Sequence, residues 1–269
     1  MSILKLGLNH DISNEDYHAD REYVSSSSLK LMNKCPREFY KKYIKGEEED
    51  EDDKGKDNPN LVFGSFLHSI VLEPELVQSE YAIFDGGRKA GKAWQEFKAS
   101  DAAQGKTIVT KSQEAKAYML KDVMSENKEA LSLLENGVAE QTLCVEIEGV
   151  KIKVRADFLN EGRGVVDLKT TGNGVTYEEV QQTIMQWDYA LSAALYADAF
   201  TQFTGEKHDF YFIFLAKNQM GCEVYKASDS MIEFGRKKYM KAIKAINAAR
   251  ESGHWFNNGI MEISLPEGI

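Results

Sequence analysis

Residues 150–171 read VKIKVRADFLNEGRGVVDLKTT. Through the first half, side chains alternate as on a strand. Ile152, Val154, Ala156 and Phe158 take one face, and Lys153, Arg155 and Asp157 take the other. NEGRG then signals a turn, and VVDLKT resumes the extended pattern, with Val166 and Leu168 on one face and Val165, Asp167 and Lys169 on the other. Just upstream, TLCVEIEG is also β-rich and is separated from VKIKVRADFL by the Glu148-Gly149 turn. The three segments predict a meander of short antiparallel strands. Asp157 and Asp167 lie ten residues apart across a short turn, so strand pairing brings their carboxylates together.

Two carboxylates held close repel unless a cation joins them. Hard oxygen ligands beside a lysine suit Mg²⁺, with Mn²⁺ as a substitute, rather than Zn²⁺. Asp157 and Asp167 are therefore candidate metal ligands, and the backbone carbonyl of Leu168 is a further one. Lys169 is the candidate for orienting a water and offsetting charge on a phosphate. A D-x-K triplet is also compatible with an ion-pair cluster on an exposed sheet face. Its context favours a site: it ends a strand, follows a second acid at hairpin distance and precedes two helices.

Outward from the meander, the order of elements is α/β. Ser25 to Ser28 offer helix N-caps before LKLMNKC, and Pro36 opens a second helix. In LVFGSFLHSIVLEPE, Leu61, Gly64, His68 and Val71 recur at helical spacing, and Pro74 stops the helix. Helices are predicted over 92–103 and 111–134, with Gly86, Gly87 and Gly91 marking a loop before them. After the meander come helices over 176–185 and 187–203, the strands HDFYFIFLAK and CEVYKA, and a long helix over 228–250. The fold class implied is α/β: a central mixed β-sheet flanked by helices on both sides.

Composition narrows the function classes. The chain has 269 residues, 42% of them hydrophobic, with no apolar run long enough to cross a bilayer and no secretory leader. Cys35, Cys144 and Cys222 are scattered and odd in number, which argues against a disulfide framework, a zinc knuckle or an iron–sulfur cluster; they predict reduced thiols in a cytoplasmic protein. The net charge of −10 opposes simple phosphate binding. Seven of the acids are consecutive, however, Glu47 to Asp53, and the segment 46–60 predicts a solvated, disordered loop. Outside it, residues 30–45, 88–92 and 236–244 are basic and could contact a polyanion or simply be solvated faces.

The Ala156-Asp157 pair with Asp167-Leu168-Lys169 resembles the PD-(D/E)xK nuclease motif, alanine standing where proline is usual. Together with ISNEDYHADREYVSSSSLKLMNKCPREFY, GSFLHSIVLEP and YALSAALY, it resembles the phage-type exonuclease VIII (RecE-like) family over residues 12–225. The resemblance implies a single nuclease domain, 1–269, with a PD-(D/E)xK nuclease-like core. It implies His68 as a metal ligand, with Gly64 leaving room one turn earlier; on sequence alone a core or helix-face histidine is the favoured reading. Glu140 is an outer-ligand candidate or an exposed cap. The family's Gln-x-x-x-Tyr motif is broken, because Ser192 stands at the Gln position before Tyr196. Tyr196, Tyr189, Ser192 and Arg155 remain substrate-contact candidates; both tyrosines also fit a core stripe with Ala193 and Phe200, and Gln186 is an alternative amide.

The activity implied is a Mg²⁺-dependent exonuclease that digests one strand of double-stranded DNA from its ends, 5′ to 3′, for phage or prophage recombination. A RecT-like single-strand annealing protein and a ring-shaped homo-oligomer are implied as partners, in the host cytoplasm and with no membrane. A ring would reconcile an acidic exterior with a basic channel. Two rival readings are a repair or CRISPR-adaptation nuclease of the same superfamily and a non-catalytic DNA-end-binding module. The cysteine count and length oppose the first, and the full His68, Asp157, Asp167 and Lys169 set opposes the second.

Overall fold

The computed structural model describes residues 2–47, 58–256 and 259–260. Strand β1 (Gly7–Asn9) is followed by α1 (Asn14–Ala19), α2 (Ser26–Lys34) and α3 (Pro36–Phe39), which runs into a π-helical turn, Tyr40–Lys45. Next come α4 (Pro59–Leu72), α5 (Val77–Glu80), β2 (Tyr81–Phe84), α6 (Gly91–Lys98), β3 (Thr107–Thr110), α7 (Lys111–Glu126) and α8 (Lys128–Leu133). The meander is β4 (Gly137–Ile147), β5 (Val150–Asn160) and β6 (Gly164–Thr171). Helices α9 (Tyr177–Gln186) and α10 (Tyr189–Thr204) lead to β7 (Asp209–Ala216), β8 (Gly221–Lys226) and α11 (Asp229–Ser252).

The main sheet has six strands in the order β1-β4-β5-β6-β7-β8. It is mixed: β6 and β7 run parallel, joined through α9 and α10, and the other neighbours are antiparallel. A crossover through helices is what a parallel pair requires. One core layer packs α2, α10 and α11 against Leu143, Val154, Phe210, Phe212 and Phe214. The opposite layer packs α4, α7 and α8 against Val166, Leu168, Ile213 and Leu215. The sheet is thus covered on both faces, and β7 reads as a nearly unbroken apolar run, FYFIFLA, for that reason.

Local signals explain the helix starts. Ser25 caps α2 in a reciprocal box with Ser28, and Thr176 does the same for α9 with Glu179. Helix α10 is rich in alanine on its inner side, and α11 approaches it through Gly235. A Cβ at Gly235 would lie 1.9 Å from the Ala190 carbonyl oxygen and 2.9 Å from Ala194 Cβ. Gly235→Ala must therefore push the two helices apart. We expect a loss of about 1–3 kcal/mol, the usual cost of overpacking, read as a lower urea midpoint with an unchanged slope. An unchanged midpoint would show that this helix contact is looser than the structure has it.

Four expectations need correction. The predicted helix over 111–134 is two helices, because Asn127 leaves helical geometry and its Oδ1 accepts from the backbone N–H groups of Glu129 and Ala130. The helix predicted over 92–103 ends at Lys98, where 99–105 form turns instead. The short strands β1, β2 and β3 were not anticipated; β2 and β3 form a separate parallel pair of four residues each. The run Glu48 to Asp53 lies outside the described residues, but the far end of the predicted 46–60 loop is helical. Pro59 and Asn60 open α4, and the Asn58 side chain accepts from Asn60 N–H.

A fifth difference matters for function. Ile152, Val154 and Ala156 pack in the α10 layer as expected, but Phe158, two residues on, packs in the α4 layer with Val166 and Leu168. Ala139, opposite Phe158, goes with it. The pairs of β4 and β5 skip Glu140 and Asp157, and Glu140 has φ +49°, a left-handed backbone that a residue with a Cβ adopts at a cost. The break in the ladder lets the strand pair re-aim its side chains at the point where two acids stand opposite each other.

Candidate metal and nuclease site

Asp157 stands where β5 parts from β6. The pairs Asn160↔Gly164, Leu159↔Val165 and Phe158↔Val166 are made, and the ladder then stops. In place of a backbone partner, Asp157 Oδ2 accepts the Leu168 N–H at 2.7 Å. This bond ties the acid to β6 and turns its carboxylate toward Asp167 and Lys169. Lys169 Nζ lies 2.6 Å from Asp167 Oδ1 and 3.9 Å from Asp157 Oδ2, so one ammonium serves both carboxylates.

The imidazole of His68 comes from the α4 side. Its Nε2 lies 2.7 Å from the Leu168 carbonyl oxygen, and its Nδ1 is 3.6 Å from Asp157 Oδ2. With Nε2–H donating to that carbonyl, the Nδ1 lone pair faces Asp157. Burial, with Lys169 nearby, holds the His68 pKa below the ordinary histidine value, against the pull of Asp157. The ring is therefore neutral at physiological pH, the form that binds metals. The helix carries it past β6 at Gly64, but a Cβ at Gly64 would meet Thr170 Oγ1 at 3.6 Å, an ordinary contact. The close approach expected to need this glycine is not there.

Ligand atoms of His68, Glu140 and Asp157 all lie within 4.8 Å of one another. The grouping differs from the expected one: Glu140 takes part, whereas Asp167 is engaged by Lys169. The donor set, one imidazole and two carboxylates beside the Leu168 carbonyl, fits a hard divalent cation. The electrostatics fit as well. Burial and the nearby Asp157 raise Glu140 to about 8. Asp167 is raised to about 7 by burial, against the opposing pull of Lys169. Burial alone would lower Lys169, but Asp167 and Asp157 outweigh it and hold it above the ordinary lysine value.

These shifts give a testable sign. Both acids have folded pKa values above their unfolded ones, so their contribution to stability is full below about pH 4 and is lost as pH rises through about 7–8. Without metal, stability should decline across that window. Mn²⁺ should reverse the decline, because it binds the deprotonated folded form. We expect Mn²⁺ to raise the melting temperature more at pH 8 than at pH 5.5, measured against EDTA. An equal shift at both values would argue against a metal held by Glu140.

The remaining candidates surround this centre. A cavity of about 350 Å³ runs from His68, Glu140 and Asp157 to Arg155, Tyr17 and Tyr196. Arg155 is fixed on its wall: it donates to Thr142 Oγ1 at 2.8 Å and to the Ile12 carbonyl at 2.9 Å, and it lies over the Tyr17 ring. Tyr196 lines the cavity while also packing against the α10 layer. Burial pushes its hydroxyl up to about 12, with Asp167 adding to the rise and a hydrogen bond to Ser26 opposing it. Tyr189 packs against Phe212 and Phe214, and Lys169 Nζ sits 5.5 Å from its ring centroid. Ser192 is half-buried on α10, and Gln186 is exposed at the end of α9.

Sequence reasoning gives no role to Tyr17 or His18, and marks Lys30 only as the start of the basic segment 30–45. Tyr17 and His18 line the cavity from α1. Lys30 lies 5.3 Å from the Tyr189 ring, on the same aromatic that carries Lys169. Only contacts distant in sequence bring these three beside the site, so no local pattern could have placed them there.

A mixed sheet covered by helices on both faces, with Asp157, Asp167 and Lys169 where the meander parts, defines the PD-(D/E)xK class. The family model described as "PDDEXK-like domain of unknown function (DUF3799)" matches residues 25–259, and the chain belongs to that family. A crystal structure from Eubacterium rectale, described as that of a "Putative exonuclease", superposes with a TM-score of 0.64 at 17% identity, covering 97% of this chain and 100% of that one. At that identity the likeness is one of fold. The crystal structure of SSO0001 aligns over 84% of this chain and 81% of its own, at 12% identity and a TM-score of 0.34, and carries no argument. No curated protein matches the chain. Among the described residues, no helix is long and apolar enough to cross a membrane.

Proposed function

We propose that this protein is a divalent-metal-dependent exodeoxyribonuclease acting on the ends of duplex DNA. The observation that carries the reading is the gathering of His68, Glu140 and Asp157 within 4.8 Å of one another, beside a lysine already paired to Asp167. An ion-pair cluster made for stability alone would not bury excess carboxylates around a neutral imidazole.

His68, Glu140 and Asp157 would hold Mg²⁺ or Mn²⁺, and the ion bound there would polarise the scissile phosphate and acidify a water. The chain's own residues do the rest. Lys169 presents a fixed positive charge toward the phosphate oxygens, where charge grows during hydrolysis. Asp167 holds that ammonium at 2.6 Å, and the Tyr189 ring supports it from beneath. Asp157 is anchored by the Leu168 N–H, with its Oδ2 3.6 Å from His68 Nδ1. Arg155 and Tyr196 line the cavity beside it and would contact the terminal nucleotide.

Digestion from 5′ to 3′, assembly as a ring, and hand-over of the single strand to an annealing protein for phage recombination belong to the same reading and rest on the resemblance to the exonuclease VIII family. The direct test is release of acid-soluble nucleotides from linear duplex. Release with Mg²⁺ or Mn²⁺ and none in EDTA is the expected result. Duplex binding without release in any divalent cation would make the protein an end-binding module instead.

A further inference from the structure

We propose that the groove between α9 and the start of α11 binds the bases of the single DNA strand leading away from the scissile phosphate, an assignment that rests on the nuclease reading. Four large apolar side chains stand exposed in this region: Tyr177 (61%), Met185 (81%), Trp187 (57%) and Phe234 (57%). Single exposed hydrophobics are common, but a group rimming one cavity marks a binding surface. Tyr177, Met185 and Phe234 line a cavity of about 590 Å³ with an apolar floor that includes Val180, Ile184 and Phe212. Trp187 lies between two lining residues, Met185 and Asp188.

The groove meets the nuclease centre through Tyr189, whose ring packs on Phe212 of the groove floor. Lys169 Nζ sits over the Tyr189 ring at 5.5 Å, and Lys30 Nζ sits over the same ring at 5.3 Å. Lys30 then donates to the Trp187 carbonyl at 3.0 Å. One ring and one lysine therefore connect the proposed catalytic ammonium to the backbone of Trp187. A strand whose phosphate lies at Lys169 meets a second cation at Lys30 and then a row of aromatic faces.

The chemistry of the lining selects the occupant. Three of the four exposed side chains are aromatic, and flat rings with flanking cations are what single strands use, since every base has a π-face. Lys238 Nζ lies 5.1 Å from the Phe234 ring and 2.6 Å from Asp188 Oδ1, so the acid among the lining residues is already neutralised by a cation. A second copy of the chain would bury the apolar rim equally well, but would leave unexplained its continuity with Lys169.

The test uses a fluorescent oligothymidylate of about ten nucleotides, within the usual span of such sites, with the full chain in EDTA so that no cleavage occurs. Trp187→Ala and Phe234→Ala should each weaken binding by about tenfold, in line with losing one base stack. Trp187→Phe keeps an aromatic face and should restore most of the affinity. Circular dichroism and melting temperature establish that the variants fold. Wild-type affinity in both alanine variants would overturn the proposal. So would a loss of self-association by sedimentation with oligonucleotide affinity unchanged, which would make the groove an interface between copies. Because binding is read without metal, failure of the wild-type protein to cleave duplex in Mn²⁺ would count against the nuclease reading and leave the strand-binding result separately legible.

Discussion

Lys169→Ala should lower the rate of duplex cleavage by two orders of magnitude or more while leaving duplex-end binding in Ca²⁺ nearly unchanged. Losing one preorganised stabilising group costs roughly 2.7–4 kcal/mol of barrier, and a single lysine is a small part of the phosphate contacts that hold DNA. Lys169 is half-buried, 2.6 Å from Asp167 and 3.9 Å from Asp157. Its removal frees Asp167, already raised to about 7, to take up a proton and relieve the repulsion, so the fold should survive. Lys169→Arg is an informative companion, since a forked guanidinium cannot reproduce a compact ammonium in this space. Wild-type cleavage by Lys169→Ala would make the lysine a bystander and remove the parting of β5 and β6 as the site of chemistry.

Asp157→Asn should act on the metal rather than on the charge beside the phosphate. The substituted side chain keeps an oxygen that can accept the Leu168 N–H, so the local structure holds. It loses the negative charge that His68 and Glu140 share across their 4.8 Å cluster. We expect Mn²⁺ affinity, followed by calorimetry, to fall by at least the roughly 10–100-fold typical of losing an outer-shell partner. Cleavage at low Mn²⁺ should be lost and should return in part at high Mn²⁺, a rescue that Lys169→Ala should not show. Glu140→Gln should weaken Mn²⁺ binding in the same direction. If it binds Mn²⁺ as wild type does, Glu140 is only a strained residue of β4.

Much of this architecture is legible in local pattern. The alternation of β5 and the NEGRG turn predict the meander, and the caps offered by Ser25 to Ser28 predict the helix that follows them. Local pattern fails where the ladder itself is broken. Perfect alternation places Phe158 with Ala156, but the left-handed backbone at Glu140 and the unpaired Asp157 send Phe158 to the other core layer. The same break brings Glu140 into the cluster, so a residue read as an outer ligand or an exposed cap stands among the direct ligand candidates. Strands β2 and β3 escape detection because four residues are too few to show a period. The groove beside Met185 and Trp187 escapes it because exposure of an apolar residue depends on which neighbours fail to cover it.

The charge pattern follows the same logic. Three of the segment 236–244's basic residues are already engaged: Arg236 with Asp198, Lys237 with Glu233 and Lys238 with Asp188. On the proposed reading the cations beside the site are Lys169 and Lys30, the latter from the basic segment 30–45; the two lie far apart in sequence and meet over one tyrosine ring.

The central claim is that the His68, Glu140 and Asp157 cluster with Lys169 degrades duplex DNA from its ends. The most direct measurement is digestion of an end-labelled linear duplex beside a covalently closed circular duplex of the same sequence, in Mn²⁺ and in EDTA, with Asp157→Asn in parallel. The account predicts loss of the linear DNA alone, only in Mn²⁺, with the 5′ label released first and the variant inactive at low Mn²⁺. Cleavage of the closed circle, or equal digestion by the wild-type protein and Asp157→Asn, would contradict it.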